Sequence, residues 1–166
     1  MTPVQEKPIR ILLVDDEADL VEYLAHLLLK RGYTVTATNS GAEAIKAVEA
    51  QTFDVALLDL KMPQMDGIQV LNKIRKIQPF LEVIMLTGHG STNSALEAGR
   101  LQAFRYMLKP YKVEELLEQI QEAYNHREEL LNSAYQEEME KILNPYQTPH
   151  DILARSDELR RKYDRD

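Results

Sequence analysis

Short apolar runs alternate along this chain with longer amphipathic segments, and the alternation predicts most of its elements. Five runs read as strands: Ile9–Val14, Thr34–Thr38, Val55–Leu58, Val83–Leu86 and Phe104–Leu108. The first, third and fourth are apolar nearly throughout, as central parallel strands covered on both faces are, whereas Thr34–Thr38 alternates like an outer strand. Between them lie helix patterns. Leu20, Leu24, Leu27 and Leu28 recur at helical spacing, and Gly32 supplies a stop after Arg31. Ser40 followed by Glu43 reads as a capping box opening a helix that carries Ala44, Ile45, Ala47 and Val48. Ile68, Leu71, Ile74 and Ile77 form a third stripe, ended by Pro79. Ser91–Leu101 is the weakest helix pattern, with Gly99 inside it and a thin apolar stripe. The fifth starts after Pro110 with Val113, Leu116, Leu117 and Ile120. Five β/α units joined by right-handed crossovers predict a doubly wound α/β sandwich with a parallel sheet.

In such a sheet the loops leaving the carboxyl ends of the strands share one edge, so residues distant in sequence meet there. Asp15 and Asp16 close the first run, Asp59 closes the third, and Thr87 and Lys109 end the fourth and fifth. Three carboxylates, a hydroxyl and an ammonium in one crevice suit a divalent metal and a phosphoryl group. Carboxylates a few ångströms apart repel by up to about 4 kcal/mol per pair at an effective dielectric near 20, so a cation is needed to keep all three ionised. Mg²⁺ is the natural candidate, because it takes one or two carboxylates and retains waters that a phosphoryl oxygen can replace. Lys109 and Thr87 would neutralise the equatorial oxygens of the transferring group. Taken singly, these residues read as a helix-opening acid, a surface charge and a turn residue; their joint placement does not.

Composition adds bounds rather than chemistry. The 166 residues hold one ordinary domain and a short appendage. A net charge of -7 argues against a nonspecific grip on nucleic acid or an anionic membrane. The absence of cysteine excludes disulfides, thiolate nucleophiles and cysteine zinc sites. The apolar runs are too short for a signal peptide or a membrane span, so a cytoplasmic protein is the expectation.

The strings Leu13-Val14-Asp15-Asp16-Glu17, Leu57-Leu58-Asp59-Leu60-Lys61-Met62-Pro63-Gln64-Met65-Asp66-Gly67, Leu86-Thr87-Gly88 and Tyr106-Met107-Leu108-Lys109-Pro110 resemble the receiver domain of two-component response regulators, CheY-like in type. The resemblance spans residues 8–126 and leaves 127–166 as a C-terminal extension. It implies a flavodoxin-like sheet of order 2-1-3-4-5 and a phosphoryl group taken from a histidine kinase or phosphotransfer protein. Position by position, it makes Asp59 the phosphoacceptor and Asp15 and Asp16 the acidic pair that holds Mg²⁺. Lys61 falls where a main-chain carbonyl completes the metal site. Thr87 and Lys109 match the switch hydroxyl and the lysine, and Tyr106 the switch aromatic. Signalling would then pass as a change of surface on the fourth helix, fifth strand and fifth helix to a protein partner. Such a protein is a phosphoacceptor taking part in its own phosphoryl transfer and dephosphorylation, rather than an enzyme.

Some positions depart from the family pattern. Many receivers read Gly-Ala-Phe-Asp-Tyr where this chain has Gln102-Ala103-Phe104-Arg105-Tyr106, beside the expected output face. Lys112 stands where an Asp or Ser often caps the fifth helix. Lys61 and His89, each two residues beyond a site residue, flank the water approach to an aspartyl phosphate. Residues 127–166 hold 7 basic and 10 acidic residues and none of the patterns of a DNA reader, so no direct DNA binding is expected. The fifth helix is expected to run on through Leu130, Leu131, Ala134 and Ile142 until Asn144-Pro145. Charge at Arg127 and Glu138 argues against a strong coiled-coil seam. Thr148, Pro149 and Asp151 read as the opening of a short helix bearing Ile152, Leu159 and Tyr163. Solvated extension, homodimerisation and partner docking are the options for this segment.

Other classes fit less well. A haloacid-dehalogenase phosphatase would place Asp-x-Asp after the first strand, and a nucleotide-binding oxidoreductase Gly-x-Gly-x-x-Gly. Here the acids are adjacent and that loop has no glycine. A receiver fold that binds Mg²⁺ and serves as a phosphorylation-independent scaffold or interaction module would carry the same residues, and is the remaining alternative.

Overall fold

Continuous apolar stretches become the centre of one sheet. The computed structural model describes residues 7–88, 92–143 and 147–163. In chain order the elements are β1 Arg10–Val14, α1 Ala18–Lys30, β2 Thr34–Thr38, α2 Gly41–Ala50, β3 Val55–Asp59, α3 Gly67–Ile77, β4 Glu82–Thr87, α4 Thr92–Arg100, β5 Arg105–Leu108, α5 Val113–Ile142 and α6 Pro149–Tyr163. The five strands form an all-parallel sheet in the order β2-β1-β3-β4-β5, the flavodoxin-like arrangement. Strands β3 and β4 are buried along their whole length. Because side chains alternate across a strand, Leu12 and Val14 enter one core cluster and Ile11 and Leu13 the other. The first cluster takes Ala44 and Val48 of α2, Val70, Leu71 and Ile74 of α3, and Ala98 of α4. The second takes Val21, Leu24 and Leu28 of α1 with Leu116, Ile120 and Ala123 of α5.

The register aligns the carboxyl ends. Val14 lies beside Leu58, Asp59 beside Leu86, and Thr87 beside Leu108. Asp59 and Thr87 are therefore the last residues of their strands, one residue beyond the predicted ends. Helix α4 forms despite Gly99, with Ala98 as its anchor.

Helix ends show where local chemistry decides. At α2 the expected box is half formed: Ser40 Oγ accepts from the Glu43 amide at 3.2 Å, but the Glu43 carboxylate reaches the Asn39 amide instead of that of Ser40. The reciprocal box sits at α3, where Asp66 accepts from the Gln69 amide at 2.9 Å and Gln69 from the Asp66 amide at 3.1 Å. Gly32, with φ of +88°, occupies the left-handed conformation that ends α1.

The chain divides into two compact units, Met1–Tyr124 and Asn125–Asp166, with α5 running through the boundary. Within the second, the Thr148 hydroxyl accepts from the Asp151 amide at 3.2 Å, capping α6 as expected. The expected stop at Asn144-Pro145 lies outside the described residues. Leu131, Tyr135, Glu138 and Ile142 of α5 are partly buried, as are Ile152, Ser156 and Tyr163 of α6, while Leu159 is fully buried. Both sets carry three-to-four spacing, so a seam forms where charge was expected to break it. Glu138 is accommodated in that seam because Lys162 Nζ and the Tyr163 hydroxyl each donate to it at 2.7 Å, and the Tyr163 ring packs edge-on against Tyr135. Among the described residues no helix is long and apolar enough to cross a membrane.

Candidate functional site

The strand ends place their acids within a few ångströms. Asp15 and Asp59 are 4% and 7% exposed, Asp16 is exposed, and each offers a carboxylate oxygen within 4.8 Å of the others. Backbone amides orient the buried pair: Glu17 N–H donates to Asp15 Oδ1 at 3.0 Å, and Leu60 N–H to Asp59 Oδ1 at 2.9 Å. Lys109 reaches in from the end of β5, its Nζ 2.6 Å from Asp15 Oδ2 and 3.9 Å from Asp59 Oδ1. The Lys109 amide donates to the Thr87 carbonyl at 2.9 Å, so lysine and threonine are tied by their backbones. Thr87 is fully buried.

One ammonium does not balance three carboxylates. Burial, then the charge of Asp15, pushes the Asp59 carboxyl up to about 6, against the opposing pull of Lys109 and the Leu60 amide. Burial alone would lower the pKa of Lys109, but its hydrogen bond to Asp15 and the charges of Asp15, Asp59 and Glu17 hold it above the ordinary lysine value. The excess negative charge, carried entirely on hard oxygen donors with one edge open to solvent, fits Mg²⁺ or a like cation.

The remaining predicted positions fall around this centre. Lys61 is exposed and follows Leu60 directly after the acid. Tyr106 is partly buried and packs against the α2–α4 core cluster. His89 lies outside the described residues. Arg105 leans away from the sheet edge, its Nε 2.6 Å from Gln119 Oε1 and its guanidinium 3.2 Å from Glu122 Oε2 on α5.

Two positions matter more than their sequence signals indicated. A Cβ at Gly67 would stand 2.2 Å from the Asp59 carbonyl oxygen and 2.8 Å from Leu60 Cα, while the Gly67 amide donates to the Leu60 carbonyl at 2.7 Å. The start of α3 is thus pressed against the backbone that carries Asp59, which only glycine permits. The Asp-Gly pair after Met65 was the available signal. Gln102, where the resemblance expects glycine, has φ of +59°, which explains why glycine suits that turn.

An all-parallel 2-1-3-4-5 sheet with an acidic triad and a lysine at its carboxyl edge defines a class of small α/β signalling domains. The model of the response regulator receiver domain matches residues 11–121. This chain belongs to the response regulator receiver family. It is 37% identical over 120 residues to the transcriptional regulatory protein GlrR of Escherichia coli strain K12, a match covering 72% of this chain and 27% of that protein. The chain thus spans about a quarter of the length of the curated relatives it matches. Among solved structures it is similar to a CheY-like receiver domain protein from Methanospirillum hungatei JF-1, at 32% identity and a TM-score of 0.72, covering 74% of this chain and 98% of that one. It is also similar to the response regulator TrrA from Thermotoga maritima in complex with Mg(2+)-BeF, at 32% identity and a TM-score of 0.63, covering 69% and 98%.

Proposed function

We propose that this receiver domain is a phosphorylation switch with Asp59 as the phosphoacceptor. The observation that carries the reading is the charge imbalance at the sheet edge: three carboxylates within 4.8 Å against one lysine. Asp15, Asp16 and Asp59, with the main-chain carbonyl of Lys61, would hold Mg²⁺, which when bound supplies charge neutralisation for a phosphoryl oxygen. The similarity to a receiver solved with Mg(2+)-BeF supports that assignment.

The chain's own residues then divide the work. The Leu60 amide fixes one oxygen of Asp59 and leaves the other to attack phosphorus. Asp15 holds the Lys109 ammonium beside Asp59, where it meets the charge of the incoming group. Thr87, at the end of β4, supplies a hydroxyl to the same group. Its displacement and a rotation of Tyr106 alter the surface of α4, β5 and α5, which a downstream protein reads. The phosphoryl donor is a histidine kinase or phosphotransfer protein: as the Asp59 O–P bond forms, the P–N bond of the donor's phosphohistidine breaks and the imidazole departs as the leaving group. Direct DNA contact by these residues is disfavoured by the net charge of -7 and the lack of a DNA-reading motif, and DNA binding by full-length relatives belongs to those proteins.

Intact-mass spectrometry after incubation with a small acyl phosphate tests the reading. One added phosphoryl group that requires both Mg²⁺ and Asp59, and is lost in Asp59→Asn, is the expected result. No addition under those conditions would leave the unphosphorylated scaffold.

A further inference from the structure

Helix α4 is held at one end. Its 9 residues are too few for a helix to stand alone, so it lies where its tertiary anchors put it, and those gather at the carboxyl end. Among its described side chains Ala98 is the one that is fully buried, while Asn93 and Glu97 are exposed and Leu96 is 64% exposed. Two crossed bonds close the last turn, from the Gln102 amide to the Gly99 carbonyl at 3.0 Å and from the Ala103 amide to the Ala98 carbonyl at 2.9 Å. Gln102, left-handed at φ of +59°, makes that crossing possible.

Arg75 of α3 ties the closed turn to the sheet. Helix ends leave carbonyls without partners inside the helix, and the guanidinium takes up those that follow α4: Nε donates to the Leu101 carbonyl at 3.2 Å and Nη2 to the Gln102 carbonyl. Its Nη1 donates to the carbonyls of Pro79 at 3.2 Å and Leu81 at 2.6 Å, and Nη2 lies 3.6 Å from Glu82 Oε2 at the start of β4. The far side of this clamp is firm, because Ile74, Leu81 and Glu82 are all buried. One planar fork therefore joins α3, β4 and the end of α4, at the edge of the sheet opposite Asp59. The amino end of α4 belongs to the other edge, starting at Thr92, five residues after Thr87.

We propose that the Arg75 clamp makes α4 an arm that pivots about residues 98–103, fixed at its carboxyl end and free to swing at the end nearer Thr87. With that end pinned, a small displacement at the end of β4 tilts the helix instead of sliding it. The pivot is a property of the protein at rest; its use by a phosphoryl group rests on the switch reading.

The chain has no cysteine, so paired spin labels can be introduced at chosen positions. Double electron–electron resonance on the full chain compares Lys46→Cys/Asn93→Cys with Lys46→Cys/Arg100→Cys, all three positions being exposed. The expected distance distribution is at least twice as wide for position 93 as for position 100. Arg75→Lys keeps a cation for Glu82, but its single nitrogen cannot span four carbonyls; it should widen the distribution at position 100 about twofold, with circular dichroism showing the fold retained. Equal widths in the parent would overturn the proposal, and so would a position 100 distribution that Arg75→Lys leaves unchanged. With Mg²⁺ and a small acyl phosphate, the mean distance should shift at position 93 and stay fixed at position 100; equal shifts at both would mean that α4 moves as a whole and has no pivot. If intact mass shows no phosphoryl group added, the switch reading fails by itself, and the two widths still decide the pivot.

Discussion

Two buried aspartates sit at opposite ends of the same strand region, and only one of them is at rest. Asp54, 1% exposed and just before β3, is matched by Arg10: the Arg10 amide donates to its Oδ2 at 2.8 Å, Nε to the same oxygen at 3.3 Å, and the guanidinium to Oδ1 at 3.1 Å. Asp59, at the other end of β3, shares one lysine with Asp15 and has its pKa pushed up to about 6 by burial and by that neighbour. Residue type and burial are nearly the same. The difference is charge balance, and an uncompensated buried acid marks the end of the sheet where a ligand is awaited.

The largest effect should come from breaking the balanced end. Asp54→Ala leaves Arg10 partly buried without its carboxylate, and is expected to cost about 3 kcal/mol, at the low end for a broken buried pair because Arg10 is 23% exposed. Urea unfolding reads it. The variant's phosphoryl uptake, measured where it is folded, should match the parent's, since the contact lies at the far end of the sheet. Loss of uptake in folded Asp54→Ala would mean that the two ends are not independent.

At the unbalanced end, Gly67→Ala tests how finely Asp59 is placed. The new Cβ cannot remain 2.2 Å from the Asp59 carbonyl oxygen, so either α3 or the β3 end must shift. A displacement of that kind is expected to slow phosphoryl uptake about a hundredfold. Quench-flow or time-resolved intact mass would measure it, with far-ultraviolet circular dichroism checking that the fold persists.

Much of this was legible in the sequence, for reasons that can be named. Strands buried on both faces must be apolar throughout, so β1, β3 and β4 announced themselves, and a parallel sheet then puts Asp15, Asp59, Thr87 and Lys109 on one edge. What the sequence hid were facts of three-dimensional approach. Arg10 and Asp54 are 44 residues apart and belong to a pairing that no local pattern encodes. The need for Gly67 arises only when the α3 start meets the β3 end. The Glu138 seam looked broken because its partners, Lys162 and Tyr163, come from a helix folded back on it. The missed capping box at Asp66 was readable from Asp66 and Gln69, and was overshadowed by the Ser40 pattern, which forms only half of one.

A smaller effect separates the two aspartates by sign. Asp59 binds its proton more tightly folded than unfolded, about 6 against 3.8. Between those values the native state holds more protons, so this group makes stability fall as pH rises, with the full cost present above about pH 6. Asp59→Asn removes the charge and should therefore be more stable than the metal-free parent at neutral pH, the reverse of Asp54→Ala. The advantage should fade as the pH approaches 4, and Mg²⁺ should raise the melting temperature of the parent more than that of the variant. A neutral-pH Asp59→Asn protein that melts below the metal-free parent would contradict the imbalance at this edge.

The smallest effect lies at the turn between α4 and β5, where the chain departs from its family. Gln102 holds a left-handed conformation, and its carbonyl accepts from the Arg75 guanidinium, which also donates to the carbonyls of Pro79, Leu81 and Leu101. These bonds hold the turn in place, so the conformation survives a residue that does not prefer it. Replacing Gln102 by glycine relieves the strain of the left-handed backbone but adds freedom to the unfolded chain, and the first term exceeds the second where φ is positive. Gln102→Gly is expected to stabilise by about 0.5–1 kcal/mol, read as a higher urea midpoint at unchanged slope. The balance depends on Arg75: in an Arg75→Ala background the turn loses its clamp, and the gain from glycine should shrink as the turn relaxes. Equal gains in both backgrounds would show that the turn is held by its own backbone and not by the arginine.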